Sequence, residues 1–116
     1  MENNYLEFIY QILNEVLLDK VYYALSIEEK IKLPIIIYQE LSKRNVIFSD
    51  DQHLLKVSTI QITLITKDKN INLERTLENK FKQYDLEFNM VNEFYLKDSG
   101  LYRIYEIKME EKRHEQ

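Results

Sequence analysis

The chain has 116 residues, a formal net charge of −4 and 45% apolar residues, which bounds it to one domain, residues 1–116, with one sizeable core. It contains no cysteine and one glycine, and no stretch nears the roughly 18 apolar residues of a membrane span. Disulfides, thiolate chemistry, glycine-rich phosphate loops and a transmembrane helix are therefore not expected. Residues 1–19 carry Glu2, Glu7, Glu15 and Asp19 and no base. Nothing resembles the basic footprint of a nucleic-acid binder or the basic start of a signal peptide, so the chain reads as mature, intracellular and soluble.

Residues 4–19 predict a helix. Tyr5, Leu6, Ile9, Leu13, Val16 and Leu17 recur at spacings of three and four, as a single buried stripe requires. Asn3 or Asn4 suits its N-cap, and Glu7 sits near its positive end. Phe8, Ile12 and Leu18 lie off that stripe and are candidates for a partner contact. Val21, Tyr22, Tyr23 and Ala24 then form a short β-branched and aromatic run, read as a short strand. Residues 26–33 are polar and read as a solvated loop or a single helical turn.

Pro34 suits the first position of a strand, where no ladder N–H is needed. Ile35, Ile36 and Ile37 follow it, and three consecutive isoleucines predict burial on both faces. Residues 43–54 break the alternation and read as a long hairpin loop holding Val46, Ile47 and Phe48 among polar residues, with the acidic pair Asp50 and Asp51 and then His53. Long loops are frequently functional. Residues 55–67 alternate Ile60, Ile62 and Leu64 with Thr59, Gln61 and Thr63, which predicts a strand with one core face. Its Thr/Gln face is open either to solvent or to an interface.

Residues 72–84 predict a second helix with Leu73, Leu77, Phe81 and Tyr84 on its apolar stripe and Glu74, Arg75, Glu78, Lys80 and Lys82 on its wet side. Asn70 or Asn72 can cap it. Residues 85–90 read as a strand, residues 91–100 as a turn region with room for a short extended Glu93-Phe94-Tyr95-Leu96, and residues 101–108 as the last strand; residues 110–116 form a charged tail expected to fray. The fold class is α+β in the order α-β-β-β-α-β-β, two helices packed on one face of a mostly antiparallel sheet.

Chemistry finds little to build on. His53 and His114 are the two histidines, and neither has a second ligand at metal spacing. Ser49, His53 and Asp98 supply the residue types of a triad, yet no nucleophile elbow accompanies them. The acidic pairs Glu28-Glu29, Asp50-Asp51 and Glu110-Glu111 read as solubilising charge. No catalytic residue, metal or cofactor is assigned, and an enzyme is not expected. Nine tyrosines suit core edges and interfaces, because each pairs an apolar ring with a polar tip.

The succession is nonetheless specific. An amphipathic helix is followed by Val21-Tyr22-Tyr23-Ala24, then by Leu33-Pro34-Ile35-Ile36-Ile37-Tyr38-Gln39-Glu40, then by Ser58-Thr59-Ile60-Gln61-Ile62-Thr63-Leu64-Ile65-Thr66-Lys67 and a helix from Leu73 to Tyr84. In order and spacing, over nearly the whole chain, it resembles the tail-completion proteins (tail-to-head joining proteins, or tail terminators) of long-tailed bacteriophages and prophages. The resemblance implies a ring, a hexamer in the virion, that caps the head-proximal end of the tail tube. Its expected partners are other copies of itself, the tail tube protein and the head-tail connector or stopper. It implies assembly in the host cytoplasm and a final place in the tail or neck. The candidate interface residues are Val46, Ile47, Phe48, Asp50, Asp51 and His53 of the 45–53 segment and Thr59, Gln61 and Thr63 of the strand face. Alternative readings are another neck or minor tail component, or an intracellular binding module of the immunity-protein kind.

Overall fold

The computed structural model describes residues 5–24, 31–48 and 53–114. Helix α1 (Tyr5–Val16), strands β1 (Val21–Tyr23), β2 (Ile35–Phe48) and β3 (His53–Thr66), helix α2 (Ile71–Gln83), and strands β4 (Phe88–Leu96) and β5 (Gly100–His114) follow one another along the chain. The strands form one sheet in the order β1-β2-β3-β5-β4. Only β1–β2 is parallel; β2–β3, β3–β5 and β4–β5 are antiparallel. This is the α+β class and element order that the sequence predicts.

Alternation assigns the two faces of the sheet. Ile36, Tyr38, Ile60, Ile62, Leu64, Tyr105 and Ile107 point to one face, where they meet Ile9 and Leu13 of α1 and Leu77 and Phe81 of α2. Both helices thus cover the same face. The opposite face carries a smaller cluster of Ile35, Ile37, Ile65 and Tyr102, joined by Tyr22, Ile31, Leu33 and Phe94. The rings of Phe94 and Tyr102 stack there at 5.3 Å and 8°. Ile36 serves one cluster while Ile35 and Ile37 serve the other, which explains the run of three isoleucines. The Leu33–Pro34 peptide is cis, and β2 begins at Ile35.

Several boundaries differ from the sequence reading. Residues 43–54 are mostly strand, not a long loop: β2 continues to Phe48 and β3 begins at His53, with pairing maintained through Lys43–Ser58, Asn45–Lys56 and Phe48–His53. The β-branched and aromatic residues Val46, Ile47 and Phe48 favour this extension. A bulge between Glu40 and Ser42 leaves Leu41 unpaired and exposed. That one-residue shift moves the alternation to the other parity, which hides the strand from a strict period-two search. β5 likewise runs to His114, so residues 110–114 pair with β3 rather than fray. β4 is continuous through a second bulge at Met90/Asn92, so the short extended piece allowed at 93–96 is part of a strand that begins at Phe88, and the turn is confined to 97–99. Strand does not begin at Asp85; Asp85 N–H instead bonds the Lys82 carbonyl and closes α2.

β2, β3 and β5 together form a three-stranded arm extending past the helical layer. A 14-residue strand such as β3 spans about 46 Å at roughly 3.3 Å per residue. The molecule is accordingly 52 Å long and 27 by 25 Å across. Among the residues whose burial is described, Val57 is the last buried one of β3 toward this end. The expected N-cap of α1 at Asn3 or Asn4, Asp50 and Asp51, and most of the 26–33 segment lie outside the described residues. Ile31 and Leu33 of that segment pack on the second cluster rather than facing only solvent.

Among the described residues, positive-φ backbone is used at five places: Asp19, Ala24, Asp85, Asp98 and Gly100. Gly100 has φ +119°, and a Cβ there would lie 2.6 Å from the Thr66 carbonyl oxygen. Only glycine fits where β5 starts against the end of β3. No helix among the described residues is long and apolar enough to cross a membrane.

Candidate interaction surfaces

The sheet ends in two unlike edges. On one side β4 is the last strand. Its Met90, Val91, Tyr95 and Leu96 are all exposed, Tyr95 by 62%. On the other side β1 covers β2 only alongside Ile36, Ile37 and Tyr38. Beyond that point the outer edge of β2 has no neighbouring strand among the described residues, and Leu41, Ser42, Lys43 and Arg44 are exposed along it. Such edges offer rows of unpaired N–H and C=O groups to another chain.

The face away from the helices is graded. It is apolar where Ile35, Ile65, Tyr102 and Phe94 lie side by side, and polar two levels further on, where register aligns Gln39, Gln61, Glu106 and Asn89. Thr59 and Gln61 are half-buried on this face. Thr63 is enclosed, 7% exposed, because Ile37 and Ile104 pair with it on either side. It does not offer the open contact expected of it. Of the 45–53 candidates, Val46, Ile47 and Phe48 fall in β2 at the far end of the arm and His53 starts β3.

Backbone register sets His53 opposite His114, so the two histidines share one level of the arm instead of lying apart. Asp98 is in the turn before Gly100, at the opposite end of β5. The length of β5, 15 residues, therefore separates it from His53, and the triad residue types do not converge. No three His, Cys, Asp or Glu residues gather as a metal group among the described residues. Of the three residues read as off-stripe, Ile12 of α1 is buried, Phe8 of α1 meets Tyr84 edge-on at 5.9 Å, and Leu18, in the turn after the helix, is 72% exposed. Among the strand tyrosines, Tyr38, Tyr102 and Tyr105 are buried, whereas Tyr23 and Tyr95 are exposed.

A polar network beneath α2 went unread in the sequence. Arg103 Nη1 donates to Glu93 Oε1 at 2.9 Å, Nη2 to Glu78 Oε2 at 3.0 Å, and Nε to the Tyr105 hydroxyl at 2.6 Å. Tyr105 passes its own proton toward Glu78 Oε2 at 2.6 Å. Lys69 Nζ lies 2.9 Å from both Glu74 and Glu93. Glu74, placed on the wet side by its charge, is only 6% exposed. Burial raises the Tyr105 hydroxyl, and the Glu78 carboxylate adds to that. Burial also works against ionised Glu78, but bonds from Tyr105 and Arg103 outweigh it and hold its carboxyl below the ordinary range. The Lys69 bond, followed by Arg103, does the same for Glu93 against a smaller burial cost. The network fastens α2 to β4 and β5. Its signal in the sequence was Arg103 in an inward row with Tyr105 and Ile107, facing acids four apart at Glu74 and Glu78.

No protein-family model matches the chain, and no curated protein sequence matches it significantly.

Proposed function

We propose that the protein is a structural assembly protein, a tail-completion protein that closes the head-proximal end of a phage tail tube as a ring and offers a surface to the head connector. The observation that carries this reading is the pair of unlike sheet edges that no strand among the described residues covers: the outer side of β4 and the outer side of β2 beyond β1. Two different edges favour heterologous, head-to-tail association, and such contacts generate a ring when the rotation closes. The residues that carry the resemblance fall on β1, the start of β2, β3 and α2 in the same order, which supports it further. In this reading the partners are further copies of the chain, the tube protein and the connector. The protein then assembles in the host cytoplasm and ends in the virion.

Electron microscopy of the purified protein, alone and mixed with tail tubes, tests the proposal. Rings, or rings seated at one end of the tubes, are expected. A protein that stays monomeric with tubes present and forms a one-to-one complex with the product of a neighbouring toxin gene would overturn it in favour of an immunity-type module.

A further inference from the structure

Strand β4 ends the sheet, and Met90, Val91, Tyr95 and Leu96 expose apolar surface along it. Exposed edges are ordinarily blunted by lysine, proline or a bulge. Phe88–Leu96 contains neither lysine nor proline. Its bulge at Met90/Asn92 disturbs the first half of the strand, while Asn92 to Leu96 pair with β5 residue for residue. Glu93 is the single charged residue of the strand, and Lys69 Nζ and Arg103 Nη1 both bond its Oε1 at 2.9 Å. The outer side of residues 92–96 is therefore a regular strand edge with its one charge already compensated.

We propose that this edge pairs antiparallel with β4 of a second copy of the chain, about a two-fold axis at Phe94. Such an axis stands perpendicular to the sheet, so residues on the helix side of one copy meet residues on the helix side of the other. Glu93 and Tyr95 lie on the helix side, and Asn92, Phe94 and Leu96 on the opposite side. Phe94 is the centre of the regular segment, so an axis there uses all of residues 92–96. It sets Glu93 opposite Tyr95 of the second copy, twice over, and a tyrosine hydroxyl can donate to a carboxylate. An axis at Glu93 would use fewer residues and oppose two like charges, which destabilises a strand pair. At the chosen axis the two Phe94 rings face each other. Phe94 already stacks on Tyr102 at 5.3 Å, so four rings form one row across the contact, from Tyr102 to Tyr102. Directly opposed aromatic residues stabilise paired strands. Charge and register thus make the strand complementary to itself. The contact closes at two copies and competes with a ring for the β4 edge, so the inference does not rest on the ring reading.

Analytical ultracentrifugation of the whole chain over a dilution series tests the proposal. A concentration-dependent dimer is expected. Tyr95→Glu opposes Glu93 of the second copy and should weaken dimerisation at least fivefold, whereas Tyr95→Lys retains it. The chain has no cysteine, so Phe94→Cys can form a disulfide only between copies. Directly opposite Cα atoms lie about 4.5–5.5 Å apart, within disulfide reach. Phe94→Cys should therefore cross-link under mild oxidation far faster than Leu18→Cys, a control at an exposed turn position. The Tyr95 variants, altered where the side chain is exposed, carry the test if Phe94→Cys fails to fold. A monomer at every concentration, undiminished dimerisation by folded Tyr95→Glu, or equal cross-linking at residues 18 and 94 would each overturn the proposal. Rings with no dimer at any dilution would overturn it too and leave the ring reading standing.

Discussion

The Tyr105 hydroxyl and the Glu78 carboxylate meet at 2.6 Å beneath α2, joining the centre of the sheet to the helix through a side chain that is otherwise fully buried. The same hydroxyl accepts from Arg103. One oxygen therefore satisfies a donor and an acceptor, both charged.

Tyr105→Phe keeps the ring contacts with Phe81 and Phe88 and removes only that oxygen. Hydrogen bonds to charged groups contribute about 1.5–3 kcal/mol. The variant should lose about 2 kcal/mol in urea unfolding, with the slope of the transition unchanged.

The network also sets a dependence on acid. Glu78 and Glu93 both have folded-state values below the ordinary 4.5. Their contribution is complete above the unfolded value and is lost as pH falls through the folded values. Unfolding free energy should therefore decline below about pH 4.5. Arg103→Met should cost about 2–4 kcal/mol at pH 7, because it leaves partly buried carboxylates with less compensation. With that counter-charge gone, the variant should lose less stability on acidification than the parent. Denaturant titrations between pH 3 and 7 read both effects.

Gly100→Ala places a methyl group 2.6 Å from the Thr66 carbonyl oxygen and 2.9 Å from Leu33 Cδ1, at a φ that L-residues rarely adopt. Clash and backbone strain act together, and a loss of more than about 1 kcal/mol is expected. Thermal melts should show a lower midpoint with an unaltered circular dichroism spectrum at low temperature.

The arm can be shortened without removing any core residue among those described. Asn45 and Lys56 are register partners, so an Asn-Gly turn in place of residues 46–55, with the chain ended after Glu110, closes a tight hairpin. All identified core residues remain. This variant should still unfold cooperatively. If the arm is a subunit contact, ring formation under the microscope should be lost; rings of normal size would remove Val46, Ile47, Phe48, Asp50, Asp51 and His53 from the candidate interface.

The core was legible because its periods are clean: Ile9 and Leu13 on α1, Leu77 and Phe81 on α2, and Ile60, Ile62 and Leu64 on β3 are all buried as expected. The arm was less so. At Glu40/Ser42 and Met90/Asn92, bulges reset the alternation, and residues such as Lys43 and Arg44 are strand because of their partners, not their propensity. Glu74 was misjudged for a related reason. A helix wheel shows charge but not the Lys69 and Arg103 that wait on other elements to meet it.

The positive-φ positions carry a practical consequence. Four of the five are not glycine: three are aspartates and one is Ala24, all exposed. Aspartate tolerates the left-handed region better than most residues, and alanine less well. Replacing Ala24 with glycine, and then Asp19, Asp85 and Asp98 in turn, relieves backbone strain where no side chain is buried. The chain thus comes with its own short set of sites for raising the melting temperature, each testable one at a time and none of them in the hydrophobic core.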